Sequence, residues 1–289
     1  MNKIRFPLYM LFILFVFAQC TDVNTKVSPK RPKAIVKKRT APTKLYYTKV
    51  MKKKWSADSL SAKQLQILSA VNRADKANLR RMDSIIIPAD LSGDIEYYLP
   101  FPLSVSSLKD IDKIIFFSYP AQAFGAYEYG ELVYAGPASM GRKADPTPTG
   151  LYFTNWKAEK TTSTFNDEWE LKWNFNIQNK EGIGWHEYEM PGYPASHSCL
   201  RLTEKDAKYL YDWADEWMIK GTDNILAQGT PVIVFGSYAF DDTRPWWQLI
   251  NDPHALDISE QTLQQLAGPH FNKILQEQIK RAKLISKRD

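Results

Sequence analysis

Between Val23 and Ala57 the chain carries twelve lysines and arginines and no acid. A run of that composition resists burial, because twelve like charges repel one another and each buried charge requires a partner. Pro29, Pro32 and Pro42 interrupt it, so residues 21–57 are expected to form a basic, flexible, extended linker. Whatever folds must come from the remainder. Of the 38 basic and 32 acidic side chains, every acid except Asp22 follows Ala57, so the net charge of +6 divides into a basic arm and a body of −7 over residues 58–289. At 44% hydrophobic and 24% charged the chain has the composition of a folding protein, and two cysteines in 289 residues exclude a disulfide framework.

Lys3 and Arg5 precede an apolar run from Leu8 to Ala18. This is the length of a secretory h-region and is too short to span a bilayer, so residues 1–20 are expected as a signal peptide. Phe17-Ala18-Gln19-Cys20 resembles a bacterial lipobox, which implies lipid on Cys20; Gln19 stands where a small residue is usual. The chain is then exported to the cell envelope or periplasm and anchored to a membrane. Export argues against the nucleic-acid partner that a basic arm otherwise suggests. The arm becomes a tether between membrane and wall, with attraction to anionic lipid or wall polymer as a secondary effect.

From Asp58 to Asp90 the spacing of Leu60, Leu65, Ile67, Leu68, Val71 and Leu79 predicts helix, followed by the strand-like Ile85–Pro88. The stretch from Ile67 to Pro88 resembles the second half of a LysM glycan-binding repeat without a clear first strand. Residues 58–110 are therefore expected as a small helical accessory region, either LysM-like or a hairpin packed on the main domain. After Asp110 the pattern turns to β. Ile114–Phe117, Leu132–Ala135, Leu151–Phe153 and Val232–Phe235 read as strands, with a turn at Tyr129-Gly130. Glu204–Met218 reads as one amphipathic helix, capped by Thr203 with Asp206 three residues on. Residues 237–289 are expected as a helical C-terminal extension. His254 and His270 lie there and need no functional explanation.

The chemistry gathers in Gly184–Leu202, where two of the four histidines and Cys199 fall within fourteen residues. A thiol attacks as thiolate and needs a base or a cation beside it, and acyl transfer needs N–H groups aimed at the oxyanion. A cysteine on a tight loop entering the helix capped by Thr203 meets both needs. Taken alone, Cys199 is equally a small core hydrophobe.

The segment resembles the catalytic motif of the YkuD-like L,D-transpeptidase family: a histidine, a short loop, then Ser196-His197-Ser198-Cys199-Leu200-Arg201, with Pro191–Ala195 before it. Outlying pieces resemble the family in the same order: Gln122 with Tyr127–Gly130, Gly136–Ser139, and Thr147-Pro148-Thr149-Gly150. The resemblance covers residues 111–236 and implies a mainly β fold, a β-sandwich with one amphipathic helix after the cysteine, flanked by small helical additions. It implies Cys199 as nucleophile, His186 as general acid and base oriented by a backbone carbonyl, and no metal or cofactor. His197 is either catalytic or structural, and Arg201 either grips a substrate carboxylate or fixes the loop through a salt bridge. Ser196 and Ser198 belong to the oxyanion loop, Ser198 replacing the family's glycine. Trp185, Tyr188 and Tyr193 are candidate groove residues.

The implied activity is attack on the L-centre diamino-acid carbonyl of a peptidoglycan stem peptide with release of D-alanine, by a chain expected as a monomer. Transfer to an amine then gives a 3→3 crosslink or attaches a protein, whereas water makes the enzyme an L,D-carboxypeptidase. The alternative from another class is a non-catalytic peptidoglycan-binding lipoprotein.

Overall fold

In the five-stranded sheet at the centre of the molecule, every residue of Ile114–Ser118 is buried, which requires that both faces of that sheet be covered. A computed structural model describes residues 38–163, 170–222 and 224–287. The signal peptide, Cys20 and the linker up to residue 37 lie outside the described residues.

Chain order gives β1 (Tyr47–Met51), α1 (Ala62–Asn72), α2 (Lys76–Arg81), β2 (Ser84–Pro88), β3 (Lys113–Ser118), β4 (Ala123–Glu128), β5 (Glu131–Pro137), β6 (Gly150–Phe153), β7 (Lys157–Thr162), β8 (Glu170–Gln178), β9 (Ile183–Glu187), β10 (Leu200–Leu202), α3 (Glu204–Trp213), β11 (Met218–Lys220), β12 (Asn224–Ala227), β13 (Pro231–Phe235), α4 (Glu260–Ala267) and α5 (Phe271–Ile285). The fold is mainly β. One sheet runs β5-β4-β3-β13-β6, parallel only at β13/β3; the other runs β10-β9-β8-β7, parallel only at β10/β9. β11 and β12 form a separate ribbon.

The two-residue period of β3 explains the layering. Ile115 and Phe117 face a core shared with Phe175, Trp185, Leu200, Leu202 and the α3 residues Ala207 and Leu210. Ile114 and Phe116 face the opposite core, closed by Leu263 and Ala267 of α4 and Ile274 of α5. Each fully buried phenylalanine contributes about 1.5–3 kcal/mol. The helical C-terminal addition thus forms the outer layer of the central sheet. At the β4–β5 hairpin Tyr129 and Gly130 both have positive φ, 49° and 82°, the two-residue turn that matches strand twist. A Cβ on Gly130 would lie 2.5 Å from the Val105 carbonyl oxygen.

Two expectations are corrected. The basic linker does not extend to residue 57. Arg39 pairs with Glu96 at 3.2 Å, Thr43 donates twice to Asp90, and β1 pairs antiparallel with β2. The accessory region is accordingly β1-α1-α2-β2, with β2 where Ile85–Pro88 reads as strand-like and β1 the unforeseen element. β1 escapes a reading by composition because only Tyr47 on it is buried, so its one lysine, Lys49, stays exposed. α3 also stops at Trp213. Ala214 turns to extended φ/ψ, and Trp217 donates its N–H to the Asn155 carbonyl, which leaves Met218 to start β11.

Candidate functional site

β9 and β10 are neighbours in the sheet with His186 opposite Arg201 and Trp185 opposite Leu200. The alternation of β10 sends Leu200 and Leu202 into the core and leaves Arg201 on the other face. Cys199 immediately precedes this strand. A strand therefore separates the cysteine from α3, and the expected loop running straight into a helix N-terminus does not exist; the apolar demand of Leu200 and Leu202 is the reason.

Cys199, His186, Ser196, His197, Arg201 and Tyr188 line one small cavity of about 30 Å³, together with Ser163 and Leu171. Nothing in the sequence pattern singles out Ser163 or Leu171; they come from the β7–β8 hairpin, remote from the motif. His186 is buried, and its Nδ1 lies 2.9 Å from the Glu187 carbonyl oxygen. A carbonyl only accepts, so the proton sits on Nδ1 and the Nε2 lone pair is free to act as a base. Burial lowers the imidazole to about 4, against the opposing Glu187 bond. Burial pushes the Cys199 thiol up, with the Gly184 N–H and Arg201 opposing. The pair thus rests as neutral thiol and neutral imidazole near pH 7.

The loop ahead of Cys199 is held from several sides. Ser196 Oγ donates to the Cys199 carbonyl at 2.5 Å, and its N–H donates to Met140 at 3.1 Å. Thr147 Oγ1 accepts from the Gly141 N–H at 2.9 Å and donates to the Ser198 carbonyl at 2.9 Å. Ser139 exchanges both backbone hydrogen bonds with Arg201, at 2.9 and 3.0 Å. Gln122 Oε1 accepts from the Met140 N–H at 2.7 Å. The separate pieces of the sequence motif, Gln122, Ser139 and Thr147, thereby converge on one loop. Ser198 has φ +72°, the left-handed region that favours glycine; its hydroxyl lies 3.3 Å from each of the Asp145 and Pro146 carbonyls. His197 Nε2 is 3.8 Å from Asp145, which Arg142 also holds at 2.6 Å.

Arg201 lies over the Tyr188 ring at 4.4 Å and reaches the Glu189 carbonyl at 3.5 Å. Among the described residues it makes no ion pair, so the expected loop-fixing salt bridge is replaced by ring stacking and a carbonyl. Tyr188 flanks His186 edge-on at 5.8 Å. The other two aromatics lie elsewhere. Trp185 is fully buried, packed 4.8 Å from Phe175, because its position on β9 faces the inter-sheet core. Tyr193 is 45% exposed beneath Arg244 and lines a different cleft with Met82 and Trp247. Among the described residues no group of three or more His, Cys, Asp or Glu side chains forms a metal cluster.

Residues 112–234 match the family model of the YkuD domain, the L,D-transpeptidase catalytic domain. No curated protein matches the chain. Similar solved structures include an L,D-transpeptidase from Stackebrandtia nassauensis (22% identity, TM-score 0.37, 45% of this chain and 58% of that one). Others are from Mycobacterium smegmatis (20%, 0.35, 44% and 59%) and Mycobacterium tuberculosis H37Rv (22%, 0.35, 44% and 58%). The chain thus spans less than two thirds of the length of these relatives.

Proposed function

We propose, with residues 112–234 carrying an L,D-transpeptidase catalytic domain, that this chain is a cysteine acyltransferase acting on peptidoglycan stem peptides. The observation that carries the reading is the meeting of Cys199 and His186 in one cavity, with the His186 proton fixed on Nδ1. The Cys199 sulfur attacks the carbonyl carbon at the L-centre of the stem's diamino acid as His186 Nε2 takes the thiol proton. The tetrahedral intermediate collapses, the C–N bond to D-alanine breaks, and the imidazolium returns its proton to the leaving amine. An amine acceptor then opens the thioester to a new amide and regenerates the thiol; water in its place gives the carboxypeptidase outcome. Both groups rest neutral, so His186 Nε2 is free to take the thiol proton.

Arg201 suits the grip on a substrate carboxylate, since its fork carries no carboxylate partner among the described residues. Export, lipid on Cys20 and a periplasmic or envelope location belong to the same proposal and rest on the N-terminal sequence. A monomer is proposed with them.

One observation favours the competing, non-catalytic reading: burial holds the Cys199 thiol protonated, the reverse of a pre-ionised nucleophile. Intact mass after exposure to a carbapenem separates the two. An active site gains one adduct, absent in Cys199→Ala. A folded protein that gains none overturns the acyltransferase reading.

A further inference from the structure

Arg73, Ala74 and Asp75 join α1 to α2, and each of the three touches the part of the chain over residues 112–234. Arg73 is fully buried in a left-handed conformation, φ 55°. Its Nε donates to the Ala121 carbonyl at 2.6 Å. The next residue, Gln122, supports Met140, and Met140 accepts from the Ser196 N–H, so this line of bonds ends three residues from the nucleophile. Ala74 forms a bridge with Pro191. Asp75 takes Met190 from both sides: its N–H donates to the Met190 carbonyl at 3.0 Å, and its Oδ2 accepts from the Met190 N–H at 2.7 Å.

Asp75 does two tasks with one carboxylate. Oδ1 accepts from the Asn78 N–H at 2.9 Å and caps α2, while Oδ2 holds Met190 and accepts from the Asn78 side-chain amide at 2.8 Å. Asn78 in turn donates to Glu189 Oε1 at 3.1 Å. The segment gripped in this way, Glu189–Pro191, follows directly on Tyr188, the ring under Arg201, and supplies the carbonyl that Arg201 reaches. The small unit built from β1, α1, α2 and β2 therefore grips the chain on both flanks of the cavity.

We propose that Asp75 is a positioning residue for acylation: by holding Met190 it keeps Tyr188 and Arg201 in place beside Cys199, which makes the N-terminal unit part of the active-site frame. The proposal rests on the acyltransferase reading. A displacement of about 1 Å in such a frame costs on the order of a hundredfold in rate.

Asp75→Asn isolates the effect. Asparagine caps helices as well as aspartate does, yet its single carbonyl oxygen accepts from Asn78 or from Met190 and leaves the other N–H facing an amide nitrogen. Ser61→Ala serves as the control. It removes the capping box of α1, in the same unit but away from Glu189 and Met190. In the full chain, Asp75→Asn should lower the single-turnover acylation rate by a carbapenem about 10- to 100-fold at saturating concentration. Ser61→Ala should lower the melting temperature while its acylation rate stays within about twofold of wild type. Wild-type acylation by Asp75→Asn overturns the proposal, as does an equal slowing in Ser61→Ala. Should the wild type form no adduct, the acyltransferase reading fails and the positioning role falls with it; an adduct in the wild type that forms as fast in Asp75→Asn overturns the positioning role alone.

Discussion

His186 and Arg201 are register partners across the parallel strands β9 and β10. The proposed base and the proposed substrate grip are thus spaced by sheet geometry and not by a flexible loop.

Cys199→Ser replaces the thiol with a near-isosteric hydroxyl that is far harder to ionise. Turnover of purified tetrapeptide stems should fall by on the order of 10³-fold or more, with the melting temperature little changed. Residual turnover near wild type, read by product mass spectrometry, rules Cys199 out as nucleophile.

Two buried groups act on stability with opposite signs below neutral pH. Burial lowers His186 from 6.5 to about 4; between these values the unfolded chain binds more protons, so stability falls as the pH falls. Burial raises Asp206 from 3.8 to about 6, against its bonds from Thr203 and Tyr134; here the folded chain binds more protons, and stability falls as the pH rises. Between pH 4 and 6 the two effects offset each other. Asp206→Asn removes the second, so its urea midpoint should drop more steeply than that of wild type from pH 6.5 to pH 4. Parallel curves would contradict the assignment.

Ser198→Gly relieves a side chain held at φ +72°. Left-handed backbone costs a non-glycine residue about 1–2 kcal/mol, while glycine carries an unfolded-state penalty of about 0.5–1 kcal/mol. The net expectation is a gain in stability of about 0–1.5 kcal/mol, with acylation within tenfold of wild type. A rate gain above about a hundredfold, the size of a lost oxyanion contact, would mean that the native serine cripples the site.

Cys20→Ala should move the protein from the membrane to the soluble envelope fraction while the isolated catalytic activity is unchanged. Retention of the variant at the membrane, measured by fractionation and immunoblot, shows that lipid on Cys20 is not the anchor.

The part of the chain over residues 112–234 was legible because the signal is chemical and local. Cys199, His186 and their ordered satellites identify one loop, and hydrophobic runs locate β3, β5, β6 and β13. What escaped depends on tertiary partners. β1 looks like linker because an edge strand tolerates a lysine once a single tyrosine is buried. Trp185 and Tyr193 share the motif with Tyr188, yet strand parity buries Trp185 and the Gly192 bend turns Tyr193 into another cleft. That bend has φ +83°, and a Cβ on Gly192 would lie 2.5 Å from Met82. The tail was readable as helical over residues 237–289, but its burial against Ile114 and Phe116 was not, since periodicity shows an apolar stripe and not what covers it.

Parallel neighbours cannot be joined by a tight turn, and their connection takes about a dozen residues. Between β9 and β10 that connection is the stretch from Tyr188 to Cys199, pinned along its length at Met190, Tyr193 and Ser196. It has no slack. Surface loops ordinarily diversify by gaining and losing residues, whereas here a single insertion or deletion would slide Cys199 out of register with the cavity. The segment richest in chemistry is thereby closed to change of length and open only to exchange of side chains, as at Ser198.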